Sequence, residues 1–393
     1  MAGIAALVVA YVFSQFYRVF LAVLAPELSA ELGADAADLG RASGAWFLAF
    51  GVMQLPVGLM LDRIGPSRTA AGLFLVGAAG GAGLFALAQT PLHVILAMGL
   101  IGVGCAPILM ASFYVFARRF PPAAFATLSS MMLGLGALGN IAGASPLALA
   151  VEAFGWRGSL TGLALASALS AVAVWALLRD PPPPEPVPGA PADRGFMDYF
   201  ALLKLPVLWP IMAMVFVNYA AVGGVRGLWA GPWLAETYGM DAAAIGRATL
   251  WMALAMAVGA FAYGPLDRVF GTRKWVVFGG NCVALAICAA LAAAPAAGPG
   301  ISVALITALG AFGLTYAVVF AHARAFLPAH QIGRGVGLMN FFSIGGVGVF
   351  QVLGGELAAR IDGPAGWSAV FAMYAIALVV ALTIYLFSRD SKP

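Results

Sequence analysis

The feature that most constrains this chain is a succession of apolar stretches, each about 20 residues long, that starts at residue 4 and recurs until residue 387. They lie at 4–27, 42–61, 69–89, 92–116, 126–150, 158–178, 207–230, 247–265, 275–295, 299–321, 335–357 and 366–387. Each is long enough to cross a hydrocarbon core of about 30 Å as a helix. Charged residues make up 9% of the sequence, against roughly 25% in soluble domains, so lipid is the solvent to assume. In lipid only helices and closed barrels satisfy their own backbone polar groups, and the alternation of period two that a barrel strand needs is absent. The expected fold class is an all-α membrane protein with twelve transmembrane helices. The first stretch lacks a charged leader and runs straight into further spans, so it is read as the first helix and not as a cleaved signal.

Cations fix the expected orientation. With the N-terminus in the cytoplasm, fourteen of the twenty Arg and Lys residues fall in loops on that side, and only Arg41, Arg157, Arg247 and Arg360 fall opposite. The positive-inside rule then puts both termini in the cytoplasm of a bacterial-type inner membrane. The net charge of +4 follows from that asymmetry and is no argument for nucleic acid. Cys105, Cys282 and Cys288 sit in apolar spans and are too few for a disulfide framework.

The chain repeats itself. Gly33 to Ala42 returns at Gly239 to Ala248 with seven identities in ten, an offset of 206 residues. Ala117, Arg118, Phe120 and Pro122 return at the same offset as Ala323, Arg324, Phe326 and Pro328. Between the copies runs a proline-rich segment, including Pro181 to Pro184, that favours extended backbone over helix. The expected organisation is two pseudo-symmetric six-helix bundles, 1–178 and 207–393, joined by a cytoplasmic linker at 179–206. Where two halves are parallel repeats, a transported solute binds between them near the midplane.

Gly58, Asp62, Arg63, Gly65 and Arg68 form a pattern that resembles the signature between the second and third helices of the major facilitator superfamily. A weaker copy follows at Asp267, Arg268, Gly271 and Arg273. The resemblance, which spans the whole chain, implies a secondary transporter in which these residues latch the cytoplasmic side in the outward-facing state and release it when the halves rock. The chain departs from the family's proton-coupled members, which often carry an Arg four residues before a helix-4 glycine, because Met98 stands there before Gly102. The glycine-proline motif of drug antiporters in helix 5 is only hinted at by Gly134, Gly136, Gly139, Gly143 and Pro146.

Two arginines fall inside the spans. Arg18 lies about 14 residues into the first, roughly 21 Å deep. Arg226 lies nearly equivalently in the seventh, and the competing reading for it is snorkelling outward past Gly223 and Gly224. A charge at the bilayer centre costs at least about 2.5 kcal/mol, so it needs a partner, and no carboxylate lies inside these spans, Glu27 standing at the end of the first. For Arg18 the competing partners are helix-end carbonyls or Glu27. The sharper reading makes the partner an anionic solute, whose carboxylate or phosphate matches the guanidinium fork. Organic-anion branches of the superfamily resemble this chain in carrying arginines on helices 1 and 7. Tyr11, Ser14 and Gln15 share a face with Arg18, Asn218 and Tyr219 share one with Arg226, and Asn340 with Ser343 marks a stripe on the eleventh helix. The candidate substrate-binding residues are Arg18, Arg226, Tyr11, Gln15, Asn218, Tyr219 and Asn340.

The expected partners are a small, anionic solute, a coupling proton or counter-anion, and membrane lipid, with the protein working as a monomer. The alternative transport reading is proton-coupled efflux of drugs or metabolites, and the alternative outside transport is a membrane sensor. Catalysis is not expected: His93, His322 and His330 are dispersed, with neither a metal-binding His-Glu pair on one helix face nor a Gly-x-Ser-x-Gly elbow. No cofactor or metal is implied.

Overall fold

The computed structural model describes residues 2–181, 197–327 and 332–391. Most of the proline-rich linker with Arg194, the repeat position Pro328, His330 and Lys392 lie outside the described residues. Among the described residues the regular structure is all helical. In order come α1 (Ala2–Phe16 and Leu21–Leu32, bent by 50°), α2 (Ala36–Arg63), α3 (Pro66–Ala86), α4 (Pro91–Arg119), α5 (Pro122–Ala142) and α6 (Ser145–Leu177). The second half holds α7 (Pro206–Tyr238), α8 (Ala242–Phe270), α9 (Lys274–Ala293), α10 (Pro299–Arg324), α11 (Ile332–Arg360) and α12 (Pro364–Tyr385).

Among the described residues, ten of these helices are long and apolar enough to cross a membrane, and the bent α1 makes an eleventh. The fifth and sixth spans need a correction. The expected stretch 126–150 is cut between Ala142 and Ser145, and α6 itself breaks at Gly155, whose φ of 68° no other residue type adopts easily. The expected sixth span is thus the part of α6 after Gly155. The expected extended linker also contains a helix, Met197–Leu203, where the prolines stop and apolar residues resume.

Turn chemistry explains the repeat. Gly33 and Gly239 end their helices in the left-handed conformation, at φ 65° and 63°. Two residues on, Asp35 and Asp241 cap the next helices, each accepting a 2.7 Å hydrogen bond from a backbone amide, Asp38 and Ala244 respectively. The repeated sequence is therefore a stop signal followed by a start signal, used once per half.

The halves meet along three seams. The second segment of α1 packs on α7, the start of α6 packs on α8, and α2 packs on α11. Along α2 the spacing changes with depth. A Cβ on Gly40 would lie 2.6 Å from the Gln351 carbonyl oxygen, so α2 and α11 touch backbone to backbone there. At Gly51 the nearest α11 atom would be 3.6 Å away, and at Gly58 nothing lies within 4 Å. Arg41 bridges to Glu356 at 2.5 Å beside the tight end. The two helices are thus closed at the end that holds Arg41 and Arg360, and part toward the end that holds the arginine-rich loops.

Candidate functional site

Where α2 and α11 diverge, a cavity of about 980 Å³ lies between the halves. Its mouth carries Gly58 and Asp62 from the end of α2, Arg334 from the start of α11 and Tyr199 from the linker helix. Its deep end carries Arg18, Arg226, Gln15 and Tyr219. Among its described lining residues Asp62 is the one acid.

Arg18 reaches the cavity because α1 is interrupted beside it: the helix stops at Phe16 and resumes at Leu21. Its guanidinium carbon lies 5.4 Å from the Trp46 ring centroid and 5.3 Å from that of Phe50. These two rings of α2 stack on one another at 5.0 Å, so they form one aromatic wall under the charge. Cation–π contact away from water contributes about 2 kcal/mol, which offsets part of the cost of the buried charge without supplying a counter-ion. The side chains of Tyr219, Tyr11 and Tyr316 surround it. Its Nε is buried without a hydrogen-bond partner, and among the described residues it pairs with no carboxylate. Glu27 and helix-end carbonyls, the competing partners, do not hold it.

Arg226 sits differently. It lies in a one-turn widening of α7 at Val225–Trp229, is 2% exposed, and does not snorkel to the membrane edge. Its Nη1 donates to Asn140 Oδ1 at 3.0 Å and its Nη2 to the Asn140 carbonyl oxygen at 2.7 Å. Both arms of the fork are therefore closed on one residue of α5, in the other half. Gln351 stabilises the widened turn by donating from Nε2 to the Gly224 carbonyl oxygen at 3.1 Å.

Of the other candidates, Tyr11, Gln15, Tyr219 and Asn340 line the cavity. The Oε1 atom of Gln15 is buried without a partner, and Asn340 Oδ1 accepts from the Tyr316 hydroxyl at 2.9 Å. Asn218 does not line it. That residue is 3% exposed and donates to Asn281 Oδ1 at 3.0 Å and Thr315 Oγ1 at 2.7 Å, tying α7 to α9 and α10. A helical-wheel argument placed it within reach of Arg226, but the wheel cannot say which neighbouring helix fills which arc. Ser14 likewise turns from the cavity, toward the Cys105 carbonyl oxygen at 3.5 Å.

In the signature, Gly58 and Asp62 stand at the cavity mouth with the Tyr114 hydroxyl against the Asp62 carboxylate. Arg63 and Arg68 are exposed, and among the described residues no ion pair joins them to Asp62. Gly65, at φ 96°, leaves room for the Asp180 carboxylate, which accepts from the Ser67 amide at 2.7 Å and caps α3. The second copy repeats this device: Asp390 accepts from the Lys274 amide at 2.9 Å and caps α9. Asp390 is partly buried, which raises its pKa, but hydrogen bonds from Thr272 and from the Lys274 and Ser391 amides hold it below the usual carboxylate range. Asp267 pairs with Arg273 Nε at 3.3 Å, Gly271 ends α8 at φ 65°, and Arg268 points to the surface. The two aspartates that follow α6 and α12 carry no sequence signal beyond their position.

Sequence reasoning missed Asn140 and Tyr316. Asn140 is the lone amide in a stretch of small and apolar residues, a signal that was present but masked by the glycines around it. Tyr316 lies beside the break between Phe312 and Tyr316 in α10, which the hydropathy profile does not reveal.

Residues 7–230 and 211–393 each match the Major Facilitator Superfamily, and the chain belongs to that family. It is a multi-pass membrane protein and a secondary transporter, not an enzyme. One curated relative, an uncharacterized transporter of Bacillus subtilis named YybO, is 28% identical over 175 residues, covering 43% of this chain and 39% of that protein. Among solved structures, a bacterial homolog to the human lysosomal transporter Spinster, in an inward-facing and unoccupied conformation, superposes with a TM-score of 0.80 at 16% identity. That match covers 98% of this chain and 96% of the other. The nucleoside transporter NupG superposes with a TM-score of 0.75 at 15% identity, over 98% of each chain. At these identities the likeness is one of fold.

Proposed function

We propose that the protein carries a small organic anion, a carboxylate or phosphate ester, across a bacterial inner membrane by alternating access. The observation that carries this reading is the Arg18 guanidinium, held in the cavity by aromatic faces with its Nε unpaired and without a carboxylate partner. A buried cation without a counter-ion is satisfied when a negative solute arrives, and the planar fork suits a carboxylate or phosphate. Two guanidiniums at the deep end also repel a cation, which weighs against cationic drugs.

With the arginine-rich loops in the cytoplasm, the cavity faces inward. The segments 1–178 and 207–393 then act as rocking bodies, and the α2–α11 contact at Gly40 is the closed outer gate. Asp62 and Arg63 close the inner side in the opposite state, which accounts for their having no ion pair here. Coupling through exchange of anions, or through a proton carried on the solute, requires no acid in the deep end of the cavity. The test is uptake of radiolabelled anions into proteoliposomes holding the full chain. Saturable uptake that Arg18→Lys abolishes without lowering the yield of folded protein supports the proposal. Wild-type uptake in that variant removes Arg18 from the site.

A further inference from the structure

The two arginines are unequal, and the difference bears on what kind of anion fits. Arg226 has both terminal nitrogens on Asn140 at 3.0 and 2.7 Å, so its fork is spent within the protein. Arg18 has the Trp46–Phe50 wall on one side and a hydrogen bond to the Tyr219 side chain, and it lines the cavity with no partner among the described amides of the other half, so what it offers a solute is one guanidinium edge. One guanidinium edge matches one carboxylate. A dianion needs a second cation at the deep end, and among the described lining residues the only other one there is Arg226, whose terminal nitrogens Asn140 holds.

The walls point the same way. Between the deep end and the mouth the cavity is lined by leucines, methionines and alanines such as Leu55, Leu109, Met110, Leu133 and Leu254. Beside Arg18 lie ring surfaces. Tyr316 stacks on Phe320 with centroids 4.2 Å apart, and Tyr219 meets Tyr316 edge-on at 6.0 Å. Flat apolar solutes gain from offset or edge contact with such rings. A polyhydroxylated solute needs a partner for each hydroxyl it brings out of water, and each one left unmet costs about 1 to 3 kcal/mol. Hydrogen-bonding groups are few between the deep end and the mouth, where Gln54 is flanked by apolar residues, and those near the arginines are partly used up: Asn340 holds Tyr316 and Asn140 holds Arg226.

Resting on the reading of this cavity as the site of an organic anion, we infer that the solute is a monocarboxylate with an aromatic or otherwise flat apolar body. The carboxylate binds the free edge of Arg18, and the body lies against Phe50 and the Tyr316–Phe320 stack. Within that class of anions, the same lining favours such a solute over sugar acids and phosphate esters.

The experiment compares saturable uptake of five radiolabelled probes into proteoliposomes of the full chain at pH 7.5, with protein-free liposomes subtracting passive permeation. The probes are 2-naphthoate, terephthalate, gluconate, glycerol 3-phosphate and benzyltrimethylammonium. Naphthoate should exceed terephthalate, gluconate and glycerol 3-phosphate by at least about tenfold in uptake efficiency, the equivalent of about 1.4 kcal/mol. Phe50→Ala should reduce naphthoate uptake about tenfold by raising KM, and Arg18→Lys should abolish it. Arg18-dependent uptake in which gluconate, glycerol 3-phosphate or terephthalate equals or exceeds naphthoate overturns the aromatic monocarboxylate and leaves the anion reading standing. Uptake of benzyltrimethylammonium alone, or of none of the five, overturns both.

Discussion

Arg18 and Arg226 occupy nearly equivalent places in the two halves, and the protein treats them in opposite ways. Each interrupts its helix: α1 stops at Phe16 and resumes at Leu21, while α7 widens over Val225–Trp229. At Arg18 the charge lies beside the Trp46 and Phe50 rings and hydrogen-bonds the Tyr219 side chain, with only its Nε left without a partner. At Arg226 one residue of the other half, Asn140, takes both terminal nitrogens, Nη1 on its side-chain oxygen and Nη2 on its backbone carbonyl. One guanidinium thereby rests on rings and tyrosines, and the other becomes a tie between α5 and α7. Pseudo-symmetry of sequence thus does not entail symmetry of role.

The largest effect that would sharpen this contrast belongs to Arg18→Lys. It keeps the charge but loses the fork, and should lower anion uptake by about 100-fold, with thermal stability in detergent unchanged. An equal loss from Arg226→Lys, with stability equally unchanged, would break the contrast. Next comes Asn140→Ala, which takes away the side-chain acceptor of Arg226 Nη1 while leaving the backbone carbonyl on Nη2, and should lower stability by about 2 kcal/mol in thermal unfolding. Arg226→Gln removes the charge along with the tie, and should therefore destabilise less than Asn140→Ala. Asn218→Ala should cost about 1 kcal/mol through the lost bonds to Asn281 and Thr315 while leaving KM within about twofold, as expected of a group outside the cavity. The smallest effect is expected from Asp62→Asn at the mouth: it should shift the balance of inward- and outward-facing states, read by cysteine accessibility on each side, and change KM by less than about twofold. Unchanged state populations would reduce Asp62 and Arg63 to topology signals.

Much of this was legible along the chain. The apolar lengths specify helices because lipid forbids exposed backbone, and the repeat at Gly33–Ala42 and Gly239–Ala248 encodes the same helix stop and start in each half. Arg18 and Arg226 stand out because charge is costly in oil wherever the chain goes. Boundaries near Gly143 and Gly155 were blurred, since breaks inside apolar segments leave hydropathy unchanged. The face shared by Asn218 and Arg226 was read correctly as a helix face but wrongly as one surface, because the arc it spans meets two different neighbours.

The sequence alone determined that the protein lives in a membrane, that it is built from two related halves, and that two guanidiniums lack any nearby acid. Those properties follow from local periodicity, turn chemistry and solvation, which act over a few residues. Only tertiary structure decided which guanidinium is tied to an amide of the other half. Asn140 and Arg226 are 86 residues apart and meet because α5 and α7 face one another across the cavity. Arg18 finds Trp46 and Phe50 because α2 packs beside the break in α1. Such pairings depend on which helix faces fill the same space, and that is settled only when the whole bundle packs.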